Sequence, residues 1–137
     1  MKFEITDKIT KEDENIILKG LLEYNLARIE DKNPRDLGIY LQDNAGQKIA
    51  GLIGSTHGNW LLIKFLWVSE ELRGQNIGSS ILSQAEKIAK ERGCKYSFLD
   101  TFSFQAPEFY RKHGYKEAFV LENYPVVGKR HYFTKTL

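Results

Sequence analysis

The sequence has little of three features that would each assign a protein to a class: cysteine, an excess of one charge sign and long apolar runs. Cys94 is the one cysteine of the 137-residue chain, which excludes an intrachain disulfide and a cysteine-based metal cluster. The longest apolar stretch, Trp60 to Val68, is interrupted by Lys64 and is too short to span a membrane. We therefore expect a cytoplasmic protein with no membrane partner.

The excess of one charge sign over the other is small as well. Lysine and arginine number 20 against 18 aspartate and glutamate residues, which gives a formal net charge of +2. The resulting field is too weak to hold nucleic acid, so no nucleic-acid partner is predicted. The three histidines share no metal-ligand spacing, so no metal site is predicted, and His113 and His131 fall in basic stretches that we expect to be exposed.

The residues that are present predict one folded domain over residues 1–137. Hydrophobic residues make up 42% of the chain, as in an ordinary globular protein, and no repeat or linker divides it. The sequence leaves the oligomeric state open between a monomer and a homodimer.

The first half of the chain predicts a strand, a long helix and a meander of three strands. Thr10 is followed by acidic residues, which is typical of a helix N-terminus, and Asn33-Pro34 ends the helical pattern by about residue 32. Strand-like runs separated by turn-forming residues cover residues 38–43, 48–56 and 60–68.

The second half predicts a helix, a strand, a short helix and two more strands. Apolar residues recur at helical spacing from Ile77 to Ala89, and Gly93 is suited to the end of that helix. The later elements cover residues 96–102, 105–113, 115–121 and 131–137. Because a helical crossover makes neighbouring strands parallel, we predict a mixed α/β fold of the α+β class, with helices flanking a mixed sheet of about seven strands.

The segment from Arg73 to Ser79 joins the third strand of the meander to the second helix. Its glycines and the helix N-terminus leave backbone N–H groups for phosphate oxygens, and Arg73 adds a positive charge. An ordinary helix cap would have the same composition. The segment is neither a Walker loop nor a dinucleotide-binding fingerprint, because their glycine patterns are missing.

Two motifs in order along the chain resemble the GNAT superfamily of acyl-CoA-dependent N-acetyltransferases. Arg73-x-x-Asn76-x-Gly78 resembles the family's pyrophosphate loop, Arg/Gln-x-x-Gly-x-Gly/Ala, with Asn76 in place of the middle glycine. Asparagine adopts the left-handed conformation more readily than other residues with a side chain. Downstream, residues 106–115 resemble the family's Ala-x-x-Leu/Phe-Tyr-x-x-x-Gly-Phe segment.

The resemblance implies a three-layer GNAT-like fold whose sheet is splayed between the strands at residues 60–68 and 96–102, with the pantetheine arm of acetyl-CoA in the opening. It also implies hydrogen bonds from the backbones of Leu66 and Val68 to that arm, and a contact from Ser103. The implied pyrophosphate-binding residues are Arg73, Gly74, Gln75, Asn76, Ile77, Gly78 and Ser79.

Tyr110 is the candidate general acid implied by the resemblance, because a protonated phenol near the cofactor sulfur could protonate the departing thiolate. Phe109-Tyr110 could instead be an aromatic pair packed on the sheet. Asp100 is the leading candidate for the general base, although it could equally cap a helix or pair with a lysine. His57, Glu70 and Glu71 are weaker candidates for the base, and Cys94 is expected to be a small buried residue.

These residues lead to one main functional hypothesis and two alternatives. The main one is an N-acetyltransferase that moves the acetyl group of acetyl-CoA to a primary amine by direct attack in a ternary complex. The alternatives are a non-catalytic acyl-CoA-binding sensor and an interaction module without cofactor. The acceptor, a small molecule or a protein amine, is not identified by the sequence. Its pocket could be lined by aromatic residues and a proline, namely Phe102, Phe104, Tyr124 and Pro125.

Overall fold

The computed structural model describes residues 1–30 and 33–137, which form two compact units, Met1–Lys32 and Asn33–Leu137. The first unit contains helix α1, Lys11–Leu26. The hydroxyl of Thr10 accepts a hydrogen bond from the backbone N–H of Asp13 at 3.1 Å, so the predicted N-cap is confirmed. The assignment of residues 1–137 to one domain stays a prediction.

The strand predicted before α1 is not formed, since residues 1–10 contain no strand. A strand is stable only when its backbone groups pair with a neighbouring strand, and this segment has no such partner among the described residues. The prediction of about seven strands was therefore too high, and the sheet has six.

The second unit is built on that six-stranded mixed sheet. In chain order its strands and helices are β1 Arg35–Gln42, β2 Lys48–His57, β3 Trp60–Val68, α2 Ile77–Glu91, β4 Tyr96–Phe102, α3 Pro107–Lys112, β5 Lys116–Glu122 and β6 Lys129–Thr136. The strand order in the sheet is β1-β2-β3-β4-β6-β5. Helix α2 packs against the first three strands, and a 3-10 turn, Glu70–Leu72, follows the third strand.

The sheet is splayed between β3 and β4, as expected. These parallel strands pair over three residues only, Trp60 to Leu62 against Tyr96 to Phe98. Directly after this pairing, β3 contains a bulge, because Lys64 has no partner in β2 between Ile63 and Phe65. A bulge bends its strand, and the remainder of β3 diverges from β4 to leave a wedge between them.

Gly54 of β2 lies opposite the bulge, where the backbones approach closely. A Cβ atom added at this position would collide with the carbonyl oxygen of Leu62. The glycine therefore allows β2 to stay paired with β3 at the point where β3 bends.

The core of the second unit lies between α2 and the sheet. Apolar residues of α2 recur at helical spacing and are buried, as are Leu52, Leu61, Leu99 and Phe133 of the sheet. Gly93 ends the helix with φ +92°, and Cys94, 6% exposed, is the small buried residue that we expected. Within the described ranges, no helix is long and apolar enough to cross a membrane.

Candidate active site

A groove runs from the wedge between β3 and β4 to the N-terminus of α2. It consists of two adjoining cavities, one of 750 Å³ in the wedge and one of 530 Å³ beside the start of α2. The residues that line both cavities are Leu66, Trp67, Gln105, Ala106 and Tyr110. Because these residues are shared, a ligand can extend from one cavity into the other.

The first turn of α2 leaves backbone donors without partners inside the helix. The first helical bond runs from the N–H of Ser80 to the carbonyl oxygen of Asn76 at 3.0 Å, so the three preceding N–H groups have no intrahelical acceptor. Asn76 is the N-cap but makes no side-chain cap hydrogen bond. An uncapped helix start of this kind suits an anionic ligand.

The loop before α2 owes its course to two left-handed residues. Gly74 has φ +82°, and Asn76 has φ 60° and ψ 20°. Asn76 thus adopts the left-handed conformation expected from the sequence at this position. Of the loop residues, Arg73 and Gly78 line the cavity beside α2, and Ser79 places its hydroxyl 2.9 Å from Nε2 of His113.

The wedge exposes the backbone of β3 on the side of β4. Beyond Leu62, the β3 backbone has no strand partner on that side. Leu66 and Val68, the two predicted pantetheine-binding residues, both line the cavity beside α2. Their backbones therefore lie where an extended chain could bind like an added strand.

Ser103 does not line either cavity. Its hydroxyl lies 2.7 Å from Nε2 of His131, and its backbone N–H bonds to Lys129 across the sheet. Gln105 occupies the groove instead, where its Oε1 accepts hydrogen bonds from the N–H of Phe102 at 2.8 Å and the hydroxyl of Thr101 at 3.1 Å. Gln105 was not among the site residues predicted from the sequence.

Tyr110 lies at the junction of the two cavities. Its side chain is 7% exposed, and its ring packs edge-on against Phe109 and Tyr115. Burial, and secondly the negative charge of Asp100, raises the pKa of the Tyr110 phenol to about 12. The phenol is therefore protonated at neutral pH. The two sequence-based interpretations are compatible, because the ring packs against Phe109 and Tyr115 while Tyr110 lines both cavities.

Among residues 1–30 and 33–137, Asp100 is neither a helix cap nor the partner of a lysine. Its Oδ2 lies 2.6 Å from Nε of Arg130, and both side chains are about 30% exposed to solvent in the wall of the wedge. The hydrogen bond to Asp100 raises the pKa of Arg130. Arg130 was not predicted as a site residue, because it is 30 residues from Asp100 in the chain and near it only because β4 pairs with β6.

The other candidate bases do not line the groove. His57 is the last residue of β2, and Glu70 and Glu71 lie in the exposed 3-10 turn after β3. None of the three is among the residues of either cavity.

The expectation that His113 and His131 are exposed was wrong. His113 is half-buried against Phe109, with ring centroids 4.7 Å apart, and His131 is 13% exposed. Nδ1 of His131 lies 3.0 Å from Oε2 of Glu117, and this hydrogen bond is the main cause that lowers the pKa of Glu117. Charged neighbours in the sequence gave no sign that His113 contacts Ser79 of α2 or that His131 contacts Ser103 and Glu117.

Aromatic rings border the wedge beside Asp100. Phe102 stacks on Phe104 at 5.2 Å and on Tyr124 at 5.6 Å between ring centroids. Phe102 lines the wedge and Phe104 the cavity beside α2, so two of the proposed acceptor-pocket residues face the groove. In the described part of the chain, no three histidine, cysteine or acidic side chains lie close enough together to hold a metal ion.

Comparisons with known proteins agree with this geometry. The model of the acetyltransferase (GNAT) family matches residues 4–115. An acetyltransferase of Agrobacterium fabrum is 36% identical over 115 residues, which cover 84% of each chain. The blasticidin-S acetyltransferase of Streptomyces morookaense is 36% identical over 116 residues, which cover 82% of this chain and 85% of the relative.

The fold also matches solved structures. A crystal structure of an acetyltransferase from Agrobacterium tumefaciens superposes over 100% of both chains, with a TM-score of 0.95 and 31% sequence identity.

Proposed function

The chain belongs to the acetyltransferase (GNAT) family, and we propose that it transfers the acetyl group of acetyl-CoA to the primary amine of an acceptor. The observation that carries this proposal is the position of Tyr110. Tyr110 lines both the cavity at an uncapped helix start and the cavity walled by Asp100. This arrangement supports the proposal that Tyr110 is a proton donor and Asp100 a proton acceptor along one groove.

The groove residues fit acetyl-CoA. When bound, acetyl-CoA supplies an acetyl thioester, which a neutral amine attacks directly. The unpaired β3 backbone at Leu66 and Val68 would hold the pantetheine arm, and the N–H near Val68 would polarise the thioester carbonyl. The pyrophosphate would be held by the loop and first turn of α2, namely Arg73, Gly74, Gln75, Asn76, Ile77, Gly78 and Ser79.

Tyr110 acts as the general acid. The buried phenol, with its pKa raised to about 12, keeps its proton at neutral pH until negative charge develops on the sulfur. Proton transfer from the hydroxyl then allows the thiol to leave.

Asp100 acts as the general base. An acceptor amine arrives mostly as ammonium and must lose a proton before it can attack. The Asp100 carboxylate takes that proton directly or through a water molecule, and Arg130 holds the carboxylate in place through the hydrogen bond to Oδ2. Cys94 takes no part, because it is buried outside the groove.

Release of CoA thiol from acetyl-CoA in the presence of a panel of amines tests the proposal. The panel contains neutral, acidic and basic primary amines, and calorimetry measures acetyl-CoA binding in parallel. We expect binding and amine-dependent CoA release. Binding without release for any amine would favour the acyl-CoA sensor. Failure to bind acetyl-CoA would favour an interaction module.

A further inference from the structure

Arg130 is held in the wall of the wedge by contacts on several sides. Nε donates to Asp100, and Nη1 lies 3.4 Å from the hydroxyl of Tyr124. The guanidinium carbon lies 5.3 Å from the ring centroid of Tyr124 and 5.9 Å from that of Phe102. These contacts keep the planar group in one orientation and so reduce the entropy that a ligand would lose on binding it.

Part of this guanidinium stays available to a ligand. Asp100 and Tyr124 occupy two of its five N–H donors, and among the described residues no hydrogen bond from Nη2 is present. The side chain is 29% exposed and lines the wedge. A guanidinium with a free edge of this kind recognises a carboxylate or a phosphonate through paired hydrogen bonds.

The charges around the wedge favour an anion as well. Three charged residues line the cavity: Lys64, Asp100 and Arg130. Asp100 is paired with Arg130, whereas Lys64, the bulged residue of β3, makes no ion pair within residues 1–30 and 33–137. The lining of the cavity therefore carries one positive charge in excess.

We propose that the acceptor is a small zwitterion whose carboxylate or phosphonate binds to Arg130 and whose amine lies beside Asp100 and Tyr110. This inference rests on the proposed acetyl transfer and names the substrate class of that site. Because Asp100 and Arg130 are in direct contact, the amine and the anionic group must be separated by a short chain. Lys64 adds attraction for the anion at the opposite wall of the wedge.

Matched acceptors of similar length test the proposal. β-Alanine and 2-aminoethylphosphonate carry the anion, and propylamine lacks it. In the wild-type protein, we expect kcat/KM for both anionic amines to exceed that for propylamine at least about tenfold. Arg130→Gln should lower this ratio by about tenfold to a hundredfold, mainly through KM of the anionic amines. A difference between the two anionic amines tells which oxyanion the site prefers.

Control variants separate binding of the anion from support of the base. Arg130→Lys keeps the charge and should retain part of the preference. Asp100→Asn should lower kcat for every amine without lowering the ratio. Arg111→Gln removes an exposed arginine of α3 that does not line the groove, and it should leave the ratio unchanged.

Two results would overturn the inference. One is equal use of propylamine and β-alanine by the wild type, and the other is an equal loss for both amines in Arg130→Gln, which would limit Arg130 to positioning Asp100. Absence of CoA release with every amine would speak against acetyl transfer instead. Calorimetric binding of β-alanine and propylamine to the CoA complex would still decide the anion question, because it needs no turnover.

Discussion

Tyr110 differs from its neighbour Tyr115 in what surrounds the hydroxyl. The Tyr115 hydroxyl donates to Ser97 at 2.8 Å or to Glu86 at 2.9 Å, both close enough for hydrogen bonds, and burial raises its pKa. Within the described part of the chain, the Tyr110 hydroxyl makes no hydrogen bond to another residue, although its ring is as well packed. The Tyr110 oxygen is not among the described buried side-chain atoms that lack a partner, so it is accessible to solvent, and Tyr110 lines both cavities of the groove.

Tyr110→Phe should lower kcat about 10- to 100-fold, towards the low end of what general acid catalysis contributes, because a thiolate is already a fair leaving group. In the wild type, Tyr110 itself should cause no fall in rate below its pKa of about 12. Steady-state kinetics over pH, with a saturating acceptor, measures both effects.

Tyr115→Phe is the matched control for this variant. It removes a hydroxyl that is bonded inside the core, so it should reduce the free energy of unfolding by about 1 kcal/mol while kcat stays within a few-fold of the wild type. If Tyr110→Phe behaves in the same way, Tyr110 is a packing residue and not the acid.

At the scale of the elements, the prediction about acetyl-CoA binding concerns the start of α2. A Cβ atom added at Gly78 would lie 3.5 Å from the Phe109 ring and 3.7 Å from Val68, both in the wall of the cavity. These are ordinary packing distances, so a methyl group fits without strain. A longer side chain at this position would extend along the cavity wall towards the space proposed for the pyrophosphate.

Gly78→Glu should weaken acetyl-CoA binding by at least about a hundredfold, since it adds a negative charge to a site for an anion. Gly78→Ala should change the affinity only a few-fold, and it should stabilise the helix by about 0.4–1 kcal/mol. Calorimetry and denaturant unfolding give the two quantities for each variant. If the folded glutamate and alanine variants bind acetyl-CoA with equal affinity, the assignment of the pyrophosphate site to this loop is wrong.

At the scale of the whole molecule, local patterns predicted the elements and missed the long-range pairs. The N-cap at Thr10 and the end of α2 at Gly93 are set by neighbouring residues, so the sequence was sufficient for them. The prediction of a strand before α1 was wrong because alternation of apolar residues does not supply a partner strand.

In the candidate site too, residues in local motifs were predicted and a pair of residues distant in the chain was not. Arg73, Gly78 and Tyr110 belong to contiguous motifs, and all three line the groove. The Asp100 and Arg130 pair depends on the register between β4 and β6, which residues 30 positions apart do not reveal. Whether a residue faces the groove, as Gln105 does and Ser103 does not, depends on how the chain turns after β4.

Amide hydrogen exchange offers a direct view of the wedge in solution. Beyond Leu62, N–H groups of β3 that point towards β4 have no strand partner, whereas those that point towards β2 are bonded. In the free protein, fast and slow amides should therefore alternate along residues 65–68, in the interior of a six-stranded sheet, while β2 is protected throughout. Acetyl-CoA should slow the fast amides only. Uniform protection along this segment without ligand would mean that the two halves of the sheet close together in solution.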